Sequence, residues 1–342
     1  MNLKNMLIVH QGSRVATFDN ARALCMLYIV GWWHLQSYSK FGVPTLFNDF
    51  LDVTYGILGT FMFISGYFLA HKKVRSIDDA LLFYWQRIIR IWPLYFIACT
   101  AFLLQISGGV DLESNKQYFL SLVGLSCIIP PAPYTLWFIS MLISLYIITP
   151  LILFWQNKMR IAICVALFVL LVVARLLYAG LDERYIIMFP SYFFGLVYGS
   201  KSEGNFELKR PVLVMIISGM LFGGLSILKN GLLGMADVLS AHLFTIYPFI
   251  ILIVAISYMI GCHWNWINKI LYYISYASMC TYLFHRVYYG FLRNRVYHDK
   301  FSISEAYMIV LPTMLVIAFL IQRIYDLVIK AIKEKSMSDG TT

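Results

Sequence analysis

The sequence predicts an all-α, polytopic integral membrane helix bundle, with about ten transmembrane helices and both termini in the cytoplasm. Three observations carry this. Of the 342 residues 60% are hydrophobic and 13% charged, and the mean hydropathy of +0.73 leaves too little polar surface to coat a water-soluble globule. Apolar runs close to the roughly 20 residues that span a bilayer recur along the whole chain. The basic residues behind the net charge of +10 sit in short segments between those runs, as a positive-inside bias requires, and not in the single stripe that nucleic acid selects. Membrane lipid and a phosphorylated small molecule are the partners this pattern favours; nucleic acid is not.

The runs fall near 18–37, 54–70, 86–106, 134–155, 160–178, 185–200, 211–228, 238–260, 268–291 and 305–329. With the N-terminus inside, the cytoplasmic set holds Lys4, Arg14, the 72–90 cluster, Lys158, Arg160, Lys201, Lys209, Arg210, Lys269 and the tail from Lys330 to Lys335. Counting Arg22 and Arg323 with these, about 18 of the 27 Lys and Arg fall inside, which favours N-in and C-in. The external segments are then 38–53, 107–133, 179–184, 229–237 and 292–304. The longest, 107–133, reads as a loop whose Pro130-Pro131-Ala132-Pro133 run stiffens the approach to the next span. No internal repeat divides the chain, so the expected organisation is a cytoplasmic segment 1–17, one membrane domain 18–329 and a solvated tail 330–342. The first seventeen residues lack the apolar core and cleavage site of a removable signal peptide. Cys25, Cys99, Cys127, Cys164, Cys262 and Cys280 have no paired or metal-like spacing, so no disulfide framework is expected.

The first run, Phe18 to Tyr38, carries Asp19 and Arg22 at its start and His34 near its far end. Ionisable groups at such depth are costly and mark functional sites by default. Histidine suits general-base work near neutrality, and an arginine in the same helix can bind an anion or orient a partner. The plainer reading has Arg22 snorkelling at one interface while His34 sits in the opposite headgroup zone beside Trp32 and Trp33.

In the second run Ser65 and Gly66 make a small-residue notch for another helix, and Lys72 and Lys73 follow its end. In the stretch from Tyr84 to Tyr95, Arg87 and Arg90 stand three apart and share a helix face. Two guanidinium forks on one face suit the phosphates of a nucleotide-like donor, against the alternative of ordinary positive-inside charge. Pro93 is expected to kink that helix or to begin its membrane part. Tyr134-Thr135-Leu136-Trp137-Phe138-Ile139 opens the fourth span. Tyr282-Leu283-Phe284-His285-Arg286 places a second His and an Arg toward the outer end of the ninth. With no third ligand at metal spacing, no metal is expected.

In their order these stretches resemble the membrane-bound acyltransferase-3 family, over roughly 18–329. The matching motifs are an Arg-to-His first helix, a Phe-x-Phe-Ile-Ser-Gly-Tyr second helix, an Arg-x-x-Arg-Ile-x-Pro-Leu-Tyr segment, the Leu-Trp-Phe opening and the late Tyr-Leu-Phe-His. The resemblance implies transfer of an acyl group, usually acetyl, from cytoplasmic acyl-coenzyme A to a hydroxyl of a cell-surface glycan, such as O-antigen or capsule, or of its lipid-linked precursor. It implies a multi-pass protein of the bacterial inner or plasma membrane, without the fused periplasmic hydrolase-like domain of some members. His34 and Arg22 fall on the motif thought essential for transfer, and Arg87 and Arg90 on the arginine pair that binds acyl-coenzyme A, with Lys72 and Lys73 in support. Asp19, Trp137, His285 and Arg286 are secondary candidates, and Arg22 or Arg286 is available to stabilise an anion.

One departure matters. The family's commonest first helix has ten residues between Arg and His, whereas 23–33 is eleven. At about 100° per residue, eleven steps bring the pair within about 20° and twelve separate them by about 120°, over a rise of about 18 Å. Either the helix contains an irregularity such as a π-bulge, for which Gly31 is the natural place, or Arg22 does not share a face with His34. His34 is therefore the firmer assignment. The rival from another class is a transporter or flippase without chemistry of its own, which predicts repeated halves and discontinuous helices. A third reading keeps the enzyme class and changes the acceptor to an amine, a lipid or a small metabolite.

Overall fold

A computed structural model describes residues 15–40, 51–106, 115–129, 136–178, 180–202, 206–235 and 238–339. Regular structure among these residues is helical, and the one extended contact is a parallel bridge between Ser39 and Phe301. Helix α1, Ala16–Tyr28, continues through a π turn, Ile29–His34, and a 3-10 turn, Leu35–Tyr38. There follow α2 (Leu51–Ala70), α3 (Ile77–Ile106), the short α4 (Asn115–Leu122), α5 (Trp137–Leu153), α6 (Asn157–Leu177) and α7 (Arg184–Lys201). Helix α8 (Pro211–Ile227) ends in a π turn, Leu228–Leu232, and α9 (Leu243–His263) follows a 3-10 turn, Leu239–His242. Helices α10 (Asn265–Tyr276) and α11 (Ser278–Phe291) meet at Ala277, and a π turn, Leu292–Tyr297, extends α11. The last helix starts as Ile303–Glu305, passes a π turn, Ala306–Val310, and becomes α12, Leu311–Asp339.

Six helical segments among the described residues are long and apolar enough to cross a bilayer: Leu51–Ala70, Ile77–Gln105, Lys158–Leu177, Pro211–Leu232, Leu239–His263 and Ile303–Ile332. Helix α5 is as apolar but has 17 residues. Of the segments outside that set, α1 and α7 carry the polar groups described below, and α10 and α11, divided at Ala277, have only 12 and 14 residues. Leu51–Ala70 is 72% buried and forms the centre, whereas Lys158–Leu177 and Pro211–Leu232 are each only 6% buried. Their exposed Val165, Val169, Leu170, Val212, Leu213 and Ile216 make sense only with lipid as the solvent.

The centre is organised by backbone contact between α2 and α7. A methyl group at Gly66 would run into the Tyr192 carbonyl oxygen, one at Gly195 into that of Phe63, and one at Gly199 would lie 2.5 Å from that of Tyr67. The notch expected at Ser65 and Gly66 is thus a packing site, and Gly195 and Gly199 supply its small-xxx-small partner on α7. At the other end of α2 the buried Asp52 carboxylate accepts from Lys229 Nζ (3.1 Å), His242 Nδ1 (2.8 Å), Thr245 Oγ1 (2.7 Å) and Asn230 Nδ2 (3.3 Å). A charge in this setting persists only when paired and hydrogen-bonded, so the cluster fixes the α8–α9 connection against α2.

Several boundaries differ from expectation for local reasons. Helix α3 begins at Ile77, not near 86, because Asp79 Oδ2 accepts from the backbone of Arg75 and Ser76 while Ser76 Oγ accepts from Asp79 N, a reciprocal cap. It runs through Pro93 without a break. The segment 107–133, expected as a loop, contains α4, tied to α3 by Tyr95 Oη donating to the Ser121 carbonyl at 2.6 Å. The proline run 130–133 lies outside the described residues, as do Lys4, Arg14 and the rest of 1–14. The single span expected at 268–291 divides at Ala277, and α12 continues ten residues past the expected end at 329.

Candidate active site

His34 lies at the end of the first π turn, 8% exposed, and faces the fully buried His285 of α11. His34 Nδ1 and His285 Nε2 are 2.7 Å apart with ring planes 5° from parallel. The other nitrogen of His285, Nδ1, lies 2.8 Å from the Tyr282 carbonyl and 3.2 Å from that of Thr281. Carbonyl oxygens only accept, so His285 Nδ1 carries the hydrogen. In a neutral pair His285 Nε2 is then an acceptor, His34 Nδ1 must donate to it, and His34 Nε2 is left with its lone pair. That tautomer follows from the hydrogen-bond network, and it makes His34 Nε2 a base held in one orientation.

The π turn is the irregularity that the long Arg-to-His spacing needed, and Gly31 sits inside it. Its wider turn takes one extra residue out of the α register, so the twelve steps from Arg22 act as eleven, within about 20° and over about 16 Å. The contacts agree with a shared face: Arg22 Nη1 reaches Ser275 Oγ (3.5 Å) on α10, and His34 reaches His285 on α11, the helix that continues from it. Tyr289 Oη donates to the Val30 carbonyl within the turn at 3.3 Å. Arg22 also pairs with Asp19 (3.5 Å) and lies over the Phe68 ring (5.7 Å). Asp19, itself buried, accepts from Ser275 Oγ at 3.0 Å, and Asn20 Nδ2 donates to the Ser257 carbonyl of α9 at 3.2 Å. Asp19 and Arg22 therefore fix the start of α1 to α10, and Asn20 fixes it to α9, about 16 Å from the histidines.

Around the histidine pair, Arg286 is half-buried, and its Nε is buried without a hydrogen-bond partner among the described residues. It is close enough to act electrostatically on His34, His285 and Tyr282. Trp137 joins the same region through ring contacts from Phe138 to Tyr282 and from Tyr282 to His285. One face of Trp137 is covered by the Arg184 guanidinium, 3.9 Å from the ring centroid, which Asp182 holds in a bidentate pair. No group of three His, Cys, Asp or Glu side chains suited to a metal ion occurs among the described residues.

The basic candidates lie elsewhere. Arg87 is half-buried between the rings of Phe83 (5.3 Å) and Tyr146 (5.6 Å), and its Nε too is buried without a partner among the described residues. Tyr146 Oη bonds Ser65 Oγ at 2.9 Å, so the serine of the second-helix motif and the first arginine of the third meet through α5. Arg90 is exposed on the same helix, and Lys72 and Lys73 are exposed in the turn between α2 and α3. The structure thus unites His34, His285, Arg286 and, through aromatic contacts, Trp137. It does not unite them with Arg22, Asp19 or the basic set.

Sequence reasoning missed Ser275, Tyr289, Arg184 and the Asp52, Lys229 and His242 cluster. Asp52 and Lys229 were open to detection as lone charges at the edges of apolar runs; Ser275 and Tyr289 gave no signal short of the tertiary fold. Among known proteins, the family described as an acyltransferase domain matches residues 15–323. No curated protein and no solved structure shows significant similarity to the chain.

Proposed function

Because the chain belongs to the acyltransferase-3 family, we propose that it is a membrane O-acyltransferase that moves an acetyl group from cytoplasmic acetyl-coenzyme A to a hydroxyl of an external glycan or its lipid-linked precursor. The observation that carries this reading is the His34–His285 pair, which leaves one imidazole lone pair oriented in a buried site beside an unsatisfied guanidinium N–H.

The proposed topology has ten crossings: α1, α2, α3, α5, α6, α7, α8, α9, the α10–α11 pair and α12. Contacts support alternate directions, since α1 runs parallel to α10–α11 (Arg22 with Ser275, His34 with His285) and α2 parallel to α7. With the N-terminus inside, Arg87, Arg90, Lys72 and Lys73 face the cytoplasm and the histidine pair lies in the outer half. The orphaned Nε of Arg87 fits an anionic ligand such as a coenzyme A phosphate, with Arg90, Lys72 and Lys73 adding charge. In the transfer, His34 Nε2 takes the proton of the acceptor hydroxyl as its oxygen attacks the thioester carbonyl. Arg286 Nε–H stabilises the oxyanion that forms. The thiolate leaves and receives the proton from His34, so acetate ester and coenzyme A thiol are the products. His285 acts through His34: once His34 is protonated, the bond from Nδ1 to His285 Nε2 becomes charge-assisted and stabilises the imidazolium.

The test uses purified protein, radiolabelled acetyl-coenzyme A and a cell-surface glycan extract, with His34→Ala as the control. Label is expected in the glycan with wild type and about 10²- to 10⁴-fold less with the variant. Full transfer by a folded His34→Ala protein would remove the central role of His34. Absence of thioester loss with wild type would favour a transporter, a reading the break at Ala277 alone would suit. Mass spectrometry of surface polysaccharide from a deletion strain would identify the acetylated sugar.

A further inference from the structure

Positive-inside bias disfavours Lys and Arg on external segments. In the topology proposed above, on which this inference rests, three of the external cations are neutralised: Lys229 by Asp52, Arg184 by Asp182 and Lys40 by Asp299. Arg293 and Arg295 are not, nor is Arg286 in the adjoining crossing, and no ion pair to any of these three occurs among the described residues, while Lys300 shares the field of Asp299 with Lys40. Arg286, Arg293, Arg295 and Lys300 fall within one stretch of fifteen residues whose single acid, Asp299, is taken. The hydrogen bond from Lys40 holds the Asp299 carboxyl below the usual carboxylate range, so it stays ionised and engaged at 2.9 Å.

This basic stretch is built as well as charged. Arg293, Asn294, His298, Asp299 and Lys300 line an open, polar surface depression of about 390 Å³, in which Arg293 is half-buried and the others are exposed. Its far wall is pinned to the end of the first helix by Lys40 N donating to the Phe301 carbonyl (2.7 Å) and Phe301 N to that of Tyr38 (2.9 Å). His298 closes the preceding π turn in a left-handed conformation, φ 56°.

The depression is linked to the histidine pair through packed aromatic rings. Arg293 lies over the Tyr38 ring (5.7 Å), Tyr38 packs on Tyr289 (5.6 Å), and Tyr289 packs edge-on against His285 (5.8 Å). Arg286 and Arg293 stand seven residues and about 10 Å apart along one continuous helical stretch, with the π turn that begins at Leu292 lying between them. One arginine therefore stands at the external depression and the other beside the proposed base.

The geometry points to an acidic saccharide as the acceptor class, its carboxylate or phosphate held by Arg293 and Lys300 while a neighbouring hydroxyl extends toward His34. A neutral acceptor would leave this charge without a purpose on the side of the membrane where it is disfavoured.

Binding tests this separately from catalysis. Full-length protein in phosphatidylcholine nanodiscs is titrated with a hyaluronan tetrasaccharide, which carries glucuronate carboxylates, and with neutral chitotetraose. The acidic probe is expected to bind at least tenfold more tightly, and increasingly so at low ionic strength. Arg293→Gln and Lys300→Gln should each weaken it about tenfold, the loss of one charge-assisted hydrogen bond. Equal binding of the neutral probe, no binding of either, or retained affinity in both variants would overturn the inference. So would a patch that holds lipid: in nanodiscs containing phosphatidylglycerol, Arg293→Gln would then lower the anionic lipid retained per protein while neither saccharide bound. Because binding needs no thioester, failure of acetyl transfer with intact acidic-probe binding would count against the proposed reaction and not against this site.

Discussion

Deleting Gly31 should preserve activity, and inserting an alanine beside it should abolish activity. The π turn takes one extra residue, so the chain without Gly31 has eleven α-helical steps from Arg22 to His34, with the same relative angle of about 20° and the same span of about 16 Å. The Arg22–Ser275 and His34–His285 contacts can then form on an unbroken helix. An insertion adds a further step of about 100°. With the imidazole roughly 5 to 6 Å from the helix axis, that swing displaces it by about 8 Å, several times the 2.7 Å that joins it to His285. Loss of an oriented base costs about 10²- to 10⁴-fold. The assay is label transfer from acetyl-coenzyme A by purified protein, with thermal unfolding in detergent showing that each variant is folded. A folded deletion as inactive as His34→Ala, or a folded insertion with full activity, would refute the claim that the π turn exists to align the two residues.

Three further outcomes follow from the packing. His285→Gln keeps an acceptor near the position of Nε2 and should retain more of kcat than His285→Leu, which frees His34 to adopt the other tautomer; equal loss in both, with an unchanged pH profile, would leave His285 a packing residue only. Gly66→Ala and Gly195→Ala each force a methyl against a backbone carbonyl that cannot rotate aside, and should cost at least about 1 to 3 kcal/mol by thermal unfolding; unchanged stability would mean that the α2–α7 contact is looser than described. Lys229→Met leaves the Asp52 carboxylate to His242, Thr245 and Asn230, and should cost about 3 kcal/mol, the lower end for breaking a buried pair. Adding Asp52→Asn should restore part of that stability, and a merely additive double variant would argue against their coupling.

What could be read from the chain, and what could not, divides by the range of the interaction. Apolar length gave the helices, and the residue count between Arg22 and His34 anticipated an irregularity near Gly31, because both depend on local geometry. The start of α3 was misplaced because its cap, Ser76 with Asp79, lies in polar sequence that hydropathy counts as loop. Helix α4 is held by Tyr95 of another element, and the apolar run that starts within it, 118–129, is too short to read as a span. The pairing of His34 with His285 joins residues 251 apart, and spacing within a motif says nothing about such a partner. The same holds for Ser65, which small-residue logic marked as packing, and which also carries Tyr146 to Arg87.

The division between the two ends of the bundle has a chemical consequence. Arg87, the proposed phosphate contact, stands ten residues into α3, about 15 Å along a 30-residue helix that exceeds the bilayer core, so in the proposed reaction phosphates would dock at the interface without entering the core. The proposed base stands about 16 Å beyond Arg22 on α1, among packed side chains where His34 is 8% exposed and His285 not at all. Water that would hydrolyse the thioester is therefore scarce where His34 Nε2 is available, and that exclusion strengthens the Arg286 contact to a developing oxyanion. In the proposed reaction neither substrate needs to cross the membrane: the acyl arm would enter from one side, the acceptor hydroxyl from the other, and transfer would be confined to the point where both reach His34.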